Sequence, residues 1–146
     1  MLEQLVNLNL INVNLKSKNK IDIFEELASP LIKDKRISDL SSFIKEIKVR
    51  ESQGVTSMEG IAYPHCKSST VIQPAISIGI APGGVEYEQD ADEPAPRVFF
   101  MIASPEDSNY HIEVLKVLFT KFNPKFVDQL CSAKTPQDVL TIIKKD

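Results

Sequence analysis

The sequence predicts an α/β protein, built as a three-layer α/β/α sandwich with a mixed central sheet. Three observations support this fold: helical patterns occur early and late in the chain, strand-like segments lie between them, and one of these strands is apolar throughout. The 146 residues, 42% of them hydrophobic and 25% charged, fit one globular domain over residues 1–146. The order of the elements therefore places a sheet between two layers of helices.

The first predicted strand is Leu8 to Leu15, where apolar residues alternate with asparagine. A helical pattern then begins at Asn19 or Lys20, with apolar residues spaced by three and four. Pro30 interrupts this pattern, and because proline lacks a backbone N–H we expect a kink or a restart there.

A second helix is predicted from Ser38 to about Arg50, and Ser38 or Asp39 can cap its start. The next segment, Gln53 to Gly60, has no periodicity and predicts an exposed loop. A short apolar strand, Ile61 to Tyr63, follows and ends at Pro64. The chain thus passes from the helix through a loop into the sheet.

Two longer strands are predicted in the middle of the chain, over Ala75 to Ala81 and Arg97 to Ala103. The second is a continuous apolar run, which is typical of a strand covered on both faces. Glu86 to Pro96 lies between them and carries several carboxylates and two prolines, so we expect an acidic surface loop. A strand with two covered faces requires helices on both sides of the sheet.

Three helices are predicted at the end of the chain. In the first, about Asn109 to Lys121, we expect four apolar residues to face inward: Ile112, Leu115, Leu118 and Phe119. The other two begin at Asn123-Pro124 and Thr135-Pro136, where a capping residue directly precedes a proline at the first helical position.

Charge and composition argue against several classes of protein. The formal net charge of −3 argues against nucleic acid as a partner. The longest apolar runs, such as Val98 to Ala103, are far shorter than the roughly 20 residues of a membrane span, and the first residues lack the features of a signal peptide. Two cysteines, Cys66 and Cys131, are too few for a disulfide framework. We therefore expect a cytoplasmic protein that does not insert into a membrane.

The two histidines, His65 and His111, lie where a predicted strand or loop gives way to a new element. Reactive groups collect at such places in open α/β sheets, and the free backbone N–H groups there suit anions such as phosphate. The simpler interpretation makes each histidine a solvated or hydrogen-bonded surface residue. Arg50, judged by pattern alone, is likewise a surface residue at a helix end.

A thiol nucleophile and a zinc site are both disfavoured. Cys66 adjoins His65, but adjacent residues of an extended chain point in opposite directions. The two histidines and two cysteines lack the paired spacing of zinc ligands. No glycine-rich phosphate loop precedes Lys67-Ser68, so nucleotide binding is unsupported. We therefore expect no metal and no cofactor.

One segment resembles a known active site. Arg50-Glu51, Thr56 and Gly60-Ile61-Ala62-Tyr63-Pro64-His65-Cys66 are similar to the central segment of the fructose/mannitol-type enzyme IIA domains of the bacterial phosphoenolpyruvate-dependent sugar phosphotransferase system. In that family an Arg-Glu pair ends a helix, and an Ile-Ala-apolar-Pro-His strand end presents the phosphorylated histidine. The segment from Ser104-Pro105 to Leu115 resembles the family's second histidine segment, and the last two helices match as well. The resemblance covers nearly the whole chain.

The resemblance implies that His65 accepts a phosphoryl group, that Arg50 is its charge partner and that His111 positions or stabilises it. Thr56 and the loop amides are implied to bind the group as well. An imidazole with a pKa of about 6.5 is largely neutral in the cytoplasm, so a ring lone pair can attack phosphorus. Donors aimed at the equatorial oxygens would stabilise the transferring group. No metal is implied, because donor and acceptor are both protein side chains.

The resemblance also implies two partners in the uptake of a sugar or sugar alcohol. The histidine phosphocarrier protein would donate the group, and a IIB component, commonly through a cysteine, would accept it, which makes the chain a protein-histidine phosphotransferase. Because both partners dock over the same histidine, we expect a shallow apolar rim, with Val55, Met58 and Tyr63 as candidates.

A regulatory module of the same fold is the alternative, in which phospho-His65 controls binding to a target protein. The loop before His65 is one residue shorter than is usual in the family, and Ser57-Met58-Glu59 stands where the family generally has glycines. These two departures are the support for that alternative.

Overall fold

The helices of the protein begin where the sequence supplies capping side chains. The computed structural model describes residues 2–87 and 94–145. The helices are α1 (Lys20–Lys33), α2 (Leu40–Glu51), α3 (Tyr110–Phe119), α4 (Pro124–Cys131) and α5 (Pro136–Lys144). The side chains of Asn19, Asp39, Asn123 and Thr135 each accept a hydrogen bond from a backbone N–H in the first turn of the helix that follows. This confirms the predicted starts of α1, α2, α4 and α5.

Six strands of the described part of the chain form one mixed sheet. They are β1 (Ile11–Asn12), β2 (Ser57–Met58), β3 (Ile61–Ala62), β4 (His65–Ser68), β5 (Ala75–Ile80) and β6 (Val98–Pro105). The order is β1-β5-β6-β3-β2, and β4 also pairs with β6. β5 and β6 are antiparallel, whereas β3 and β4 both run parallel to β6 along the same side of it. The predicted mixed sheet is confirmed.

β6 contributes to two separate cores. Phe99 and Met101 pack with residues of α1 and α2, whereas Phe100 and Ile102 pack with residues of α3, α4 and α5. Because successive side chains of a strand point to opposite faces, an apolar residue is needed at every position. The three-layer α/β/α arrangement is thereby confirmed, and it accounts for the unbroken apolar run.

The strand predicted from Leu8 to Leu15 is wrong over most of its length. Leu8–Leu10 forms a 3-10 helical turn, and only Ile11–Asn12 pairs in the sheet. The asparagine side chains explain this: Asn7 and Asn12 each accept a hydrogen bond from the backbone N–H two residues later. Such local bonds compete with strand pairing.

The restart predicted at Pro30 is also wrong, because α1 runs without a break to Lys33. Pro30 lies one turn before the helix end, and its carbonyl accepts a hydrogen bond from the Asp34 N–H at 2.9 Å. The missing N–H therefore costs a single hydrogen bond of the helix.

The segment predicted as an exposed loop, Gln53 to Gly60, is only partly exposed. Thr56 is fully buried, and β2 follows it directly. A turn with positive φ at Glu59 and Gly60 then leads into β3. The most acidic part of the predicted loop from Glu86 to Pro96 lies at residues 88–93, outside the described residues.

In α3, two of the residues predicted to face inward do not. Ile112 and Phe119 are 43% and 45% exposed, whereas Val114 and Leu118 are buried. Within the described part of the chain, no helix has the length and apolar character needed to cross a membrane.

Candidate functional site

A pocket of about 320 Å³ lies where β4, the end of α2 and the start of α3 meet. Eight residues line it: Glu46, Val49, Arg50, Gln53, His65, Cys66, Lys67 and His111. A larger cavity of about 440 Å³, bordered by α3, α4 and α5, has three lysines in its lining but neither histidine. The pocket at β4 therefore gathers the three residues that were predicted to do the chemistry, namely Arg50, His65 and His111.

His65 is the first residue of β4 and is only 6% exposed. Its Nδ1 lies 2.8 Å from the backbone carbonyl oxygen of Tyr63. A carbonyl oxygen can only accept, so the Nδ1–H must donate, and this fixes the tautomer of the neutral ring. Nε2 therefore keeps its lone pair and is the nucleophilic atom of the ring.

The pKa of His65 lies below its ordinary value. Burial is the main cause, since it disfavours the charged ring, and the positive charge of Arg50 lowers the pKa further. The Tyr63 carbonyl and the Glu51 carboxylate act in the opposite direction without reversing the shift. His65 is therefore neutral at pH 7, which leaves its lone pair available.

His111 lies in the first turn of α3 and stacks on His65, with ring centroids 5.8 Å apart and 21° between the planes. Burial lowers its pKa, and the nearby His65, Lys67 and Arg50 lower it further. Its Nδ1 is buried and has no hydrogen-bond partner among the described residues. Two neutral rings thus face one pocket.

Arg50 lies in the last turn of α2 and is half-buried. In the part of the chain that the structure describes, its guanidinium makes no hydrogen bond or ion pair. It lowers the pKa of both histidines, so its charge is felt at both rings. A guanidinium in this position can bind an anion through two parallel hydrogen bonds.

The side chain of Thr56, predicted to bind the phosphoryl group, lies outside the pocket lining. Its hydroxyl donates to the Glu51 carboxylate and lies 3.1 Å from the Tyr87 hydroxyl. Glu51 in turn pairs with Lys20 at 2.8 Å, while the Thr56 carbonyl accepts from the Tyr63 N–H at 2.8 Å. In this arrangement Thr56 supports the segment that carries His65.

Cys66 points away from His65, toward the core formed with α1 and α2. Burial, with a smaller contribution from Glu46, raises the pKa of its thiol to about 12. The thiolate is the nucleophilic form, so Cys66 is a poor nucleophile at neutral pH. Within residues 2–87 and 94–145, no group of three histidine, cysteine or acidic side chains is placed to hold a metal ion.

Three polar residues of the pocket were not predicted from the sequence: Glu46, Gln53 and Lys67. Glu46 was open to prediction, because it lies four residues before Arg50 on the same side of α2, whereas Gln53 lies in the turn that follows the end of α2. Lys67 follows His65 by two residues, but β4 itself was not predicted, so its face could not be assigned.

The apolar rim differs in part from the expected one. Val55 and Met58 are exposed as expected, and the half-buried Tyr63 stacks on His65 at 6.2 Å. Phe119 packs edge-on against Tyr63 at 5.3 Å while remaining partly exposed. Val49, which lines the pocket, is 54% exposed. The exposed apolar surface beside the pocket thus includes residues of α2 and α3.

The chain matches one family model and is similar to several known proteins. The family described as "Phosphoenolpyruvate-dependent sugar phosphotransferase system, EIIA 2" matches residues 4–146. The chain is 34% identical, over 97% of its length, to the PTS system fructose-specific EIIABC component of Bacillus subtilis (strain 168), but it spans only 23% of that protein. It is 24% identical to the Nitrogen regulatory protein of Pseudomonas aeruginosa, covering 97% of this chain and 94% of that protein.

Two solved structures share the fold. The IIA mannitol protein of Escherichia coli superposes with a TM-score of 0.83 at 20% identity, over 94% of this chain and 98% of that one. The complex of IIAMtl with phosphorylated IIBMtl from Escherichia coli gives 0.79 at 19% identity, over 95% and 96% of the two chains. At such identities the similarity establishes the fold alone.

Proposed function

Because this chain belongs to the EIIA 2 family of the phosphoenolpyruvate-dependent sugar phosphotransferase system, we propose that it carries a phosphoryl group on Nε2 of His65. The observation that carries this proposal is the hydrogen bond from Nδ1 to the Tyr63 carbonyl, which leaves the Nε2 lone pair of a neutral ring free. Arg50 and His111 face the same pocket.

The transfer we propose is a direct displacement between two imidazoles. The Nε2 lone pair of His65 attacks the phosphorus of a phosphohistidine on the donor, and the donor's N–P bond breaks with its electron pair returning to the donor ring. Arg50 binds the equatorial oxygens, where the negative charge is spread. The proton stays on Nδ1 of His65, where it is donated to the Tyr63 carbonyl oxygen, so no proton moves during the step.

His111 takes the role of a positioning group that touches the transferred oxygens. Because its ring is neutral, it can donate one N–H to a phosphoryl oxygen without adding a fixed charge. Its stacking on His65, with ring centroids 5.8 Å apart, supports this role. Thr56 acts indirectly, through the loop that holds the Tyr63 carbonyl.

The proposed donor is the histidine phosphocarrier protein and the proposed acceptor is a IIB component, both in the cytoplasm. The solved complex of a mannitol IIA with phosphorylated IIB supports the acceptor, since that IIA shares this fold. The exposed side chains of Val49, Ile112 and Phe119 offer each partner in turn a small apolar contact around the pocket. The protein would then serve the uptake of a sugar or sugar alcohol.

The test is phosphorylation of the purified protein with phosphoenolpyruvate, enzyme I and the histidine phosphocarrier protein. Intact mass should increase by one acid-labile phosphoryl group, and His65→Ala should remove the increase. The control is Lys48→Met, an exposed position of α2 outside the pocket lining, which should be labelled like the native chain. A native chain without label, or a labelled His65→Ala variant, would contradict the proposal.

A regulatory module is the second candidate, favoured by the similarity to a nitrogen regulatory protein of Pseudomonas aeruginosa. In that case phospho-His65 forms but serves to change the binding of a target protein. Adding purified IIB component to the phosphorylated chain separates the two functions. Rapid loss of label to IIB supports the carrier, and retention of label over many minutes supports the regulator.

A further inference from the structure

Lys67 shares the pocket with His65 but has no part in the function proposed above. The two residues are separated by one position in β4, so their side chains leave the same face of the strand. Lys67 is exposed, whereas His65 is buried. Its ammonium can therefore reach over the mouth of the pocket.

The ammonium of Lys67 is held at the start of α3. Its Nζ donates to Oδ1 of Asn109 at 3.1 Å. Asn109 directly precedes α3 but makes no capping hydrogen bond with its side chain, unlike the residues that precede α1, α2, α4 and α5. The oxygen that would ordinarily cap the helix instead binds the lysine, two residues before His111.

We propose that Lys67 is a second cationic ligand of the phosphoryl group on His65, and that Asn109 holds its ammonium beside the pocket while the group is absent. This inference rests on the proposed function. The neighbouring His111 supports the placement, because the Lys67 charge lowers the pKa of that ring and so acts within the pocket.

The charges of the pocket indicate that Arg50 alone does not balance the charge of a phosphoryl group on His65. A phosphorylated histidine carries a charge of about −2. Arg50 supplies one positive charge, but the carboxylate of Glu46 lines the same pocket, and its Oε2 is buried without a hydrogen-bond partner among the described residues. Without Lys67, the positive charge of Arg50 and the negative charge of Glu46 would cancel. The phosphoryl group would then enter a pocket with no net positive charge to attract it.

The test uses potassium phosphoramidate, which phosphorylates imidazole without any protein donor. Its N–P bond breaks, ammonia leaves, and the new N–P bond forms on His65. Lys67→Met removes the charge and keeps most of the alkyl chain, Lys67→Arg restores the charge, and Lys48→Met removes an exposed lysine of α2 outside the pocket lining. Mass spectrometry gives the labelled residue and the rate.

We expect Lys67→Met to be labelled at His65 about fivefold to tenfold more slowly than the native chain, with Lys67→Arg and Lys48→Met close to native. Asn109→Ala keeps Lys67 but removes the side chain that accepts its hydrogen bond. Its labelling rate should lie between the rate of Lys67→Met and that of the native chain. The inference is overturned if Lys67→Met reacts normally with phosphoramidate and slowly only with the histidine phosphocarrier protein, since Lys67 would then serve docking.

Failure of the proposed function gives a different result. In that case the native chain itself gains no label on His65 from either reagent. If Lys67→Met does not fold, Asn109→Ala and Lys67→Gln carry the same test, and native rates in both overturn the inference.

Discussion

His65 and His111 stack against each other in one pocket, yet the protein holds them in different ways. His65 begins a strand, is almost fully buried, and has its Nδ1 tied to a backbone carbonyl. His111 lies in the first turn of a helix, is half-buried, and has a buried Nδ1 with no partner among the described residues. Both rings have lowered pKa values, so the difference between them is in the fixing of the tautomer.

This difference supports the two roles proposed for the histidines. A nucleophile needs its lone pair on one defined nitrogen in every cycle, and the Tyr63 carbonyl ensures this for His65. A ring that assists through a hydrogen bond does better without a fixed tautomer, because it must serve both an empty and an occupied pocket. The Nδ1 of His111, which has no hydrogen-bond partner within residues 2–87 and 94–145, fits the second role.

The largest expected effect comes from His111→Leu, whose side chain cannot donate a hydrogen bond. Removing one donor to the transferring group should slow labelling of His65 about 100-fold or more while leaving its final extent unchanged. Rapid-quench mass spectrometry with the histidine phosphocarrier protein measures both quantities. If His111→Leu lowers the extent and leaves the rate unchanged, the two histidines do not have the proposed roles.

Thr56→Val should break the hydrogen bonds of the Thr56 hydroxyl to Glu51 and Tyr87 and leave both partners buried. We expect the free energy of unfolding to fall by about 1–3 kcal/mol, measured by urea denaturation, with the full extent of labelling on His65 retained. Ser52→Ala, at an exposed position, is the control. Unchanged stability with lost labelling would make Thr56 a direct ligand of the phosphoryl group.

Two variants that each remove one positive charge should change the pKa values of the two histidines differently. Arg50 lowers the pKa of both rings, so Arg50→Met should raise both; Lys67 acts on His111, so Lys67→Met should raise that pKa alone. Nitrogen-detected NMR of the imidazoles across pH 4–9 reports each ring separately. An equal rise of both pKa values in Lys67→Met would contradict the geometry.

The smallest expected effect is on the pH dependence of the free energy of unfolding. Both histidines have folded-state pKa values below the ordinary value of about 6.5, so the unfolded chain binds protons first as the pH falls. Their contribution to stability is full above pH 6.5 and decreases below it, through the folded-state pKa values. Urea midpoints between pH 8 and pH 5 should fall less in His65→Gln than in the native chain.

The sequence predicted most reliably what depends on local hydrogen bonds. Asn123-Pro124 and Thr135-Pro136 predicted the starts of α4 and α5, because a cap and its helix are neighbours in the chain. The helical layers on both faces followed from the apolar run of β6. Leu8 to Leu15 was mispredicted because its asparagines bond to their own backbone, which periodicity does not report.

The site was less accessible to prediction than the fold. Position alone made the two histidines candidates, and Arg50 was identified only through the family resemblance. β4 has no apolar alternation, and it forms because it pairs with β6, more than thirty residues later. Thr56 and Lys67 depend on Tyr87 and Asn109, which lie 31 and 42 residues away in sequence. Such distant partners leave no periodic signal.

The position of β6 between the two cores has a consequence for how the molecule opens. Detaching either layer of helices would expose one apolar face of the same strand, so neither layer can leave without weakening the support of the other. The two halves should therefore melt together, in a single cooperative transition. Amide hydrogens of β6 should exchange with solvent only through that global event, and so more slowly than those at the ends of the helices.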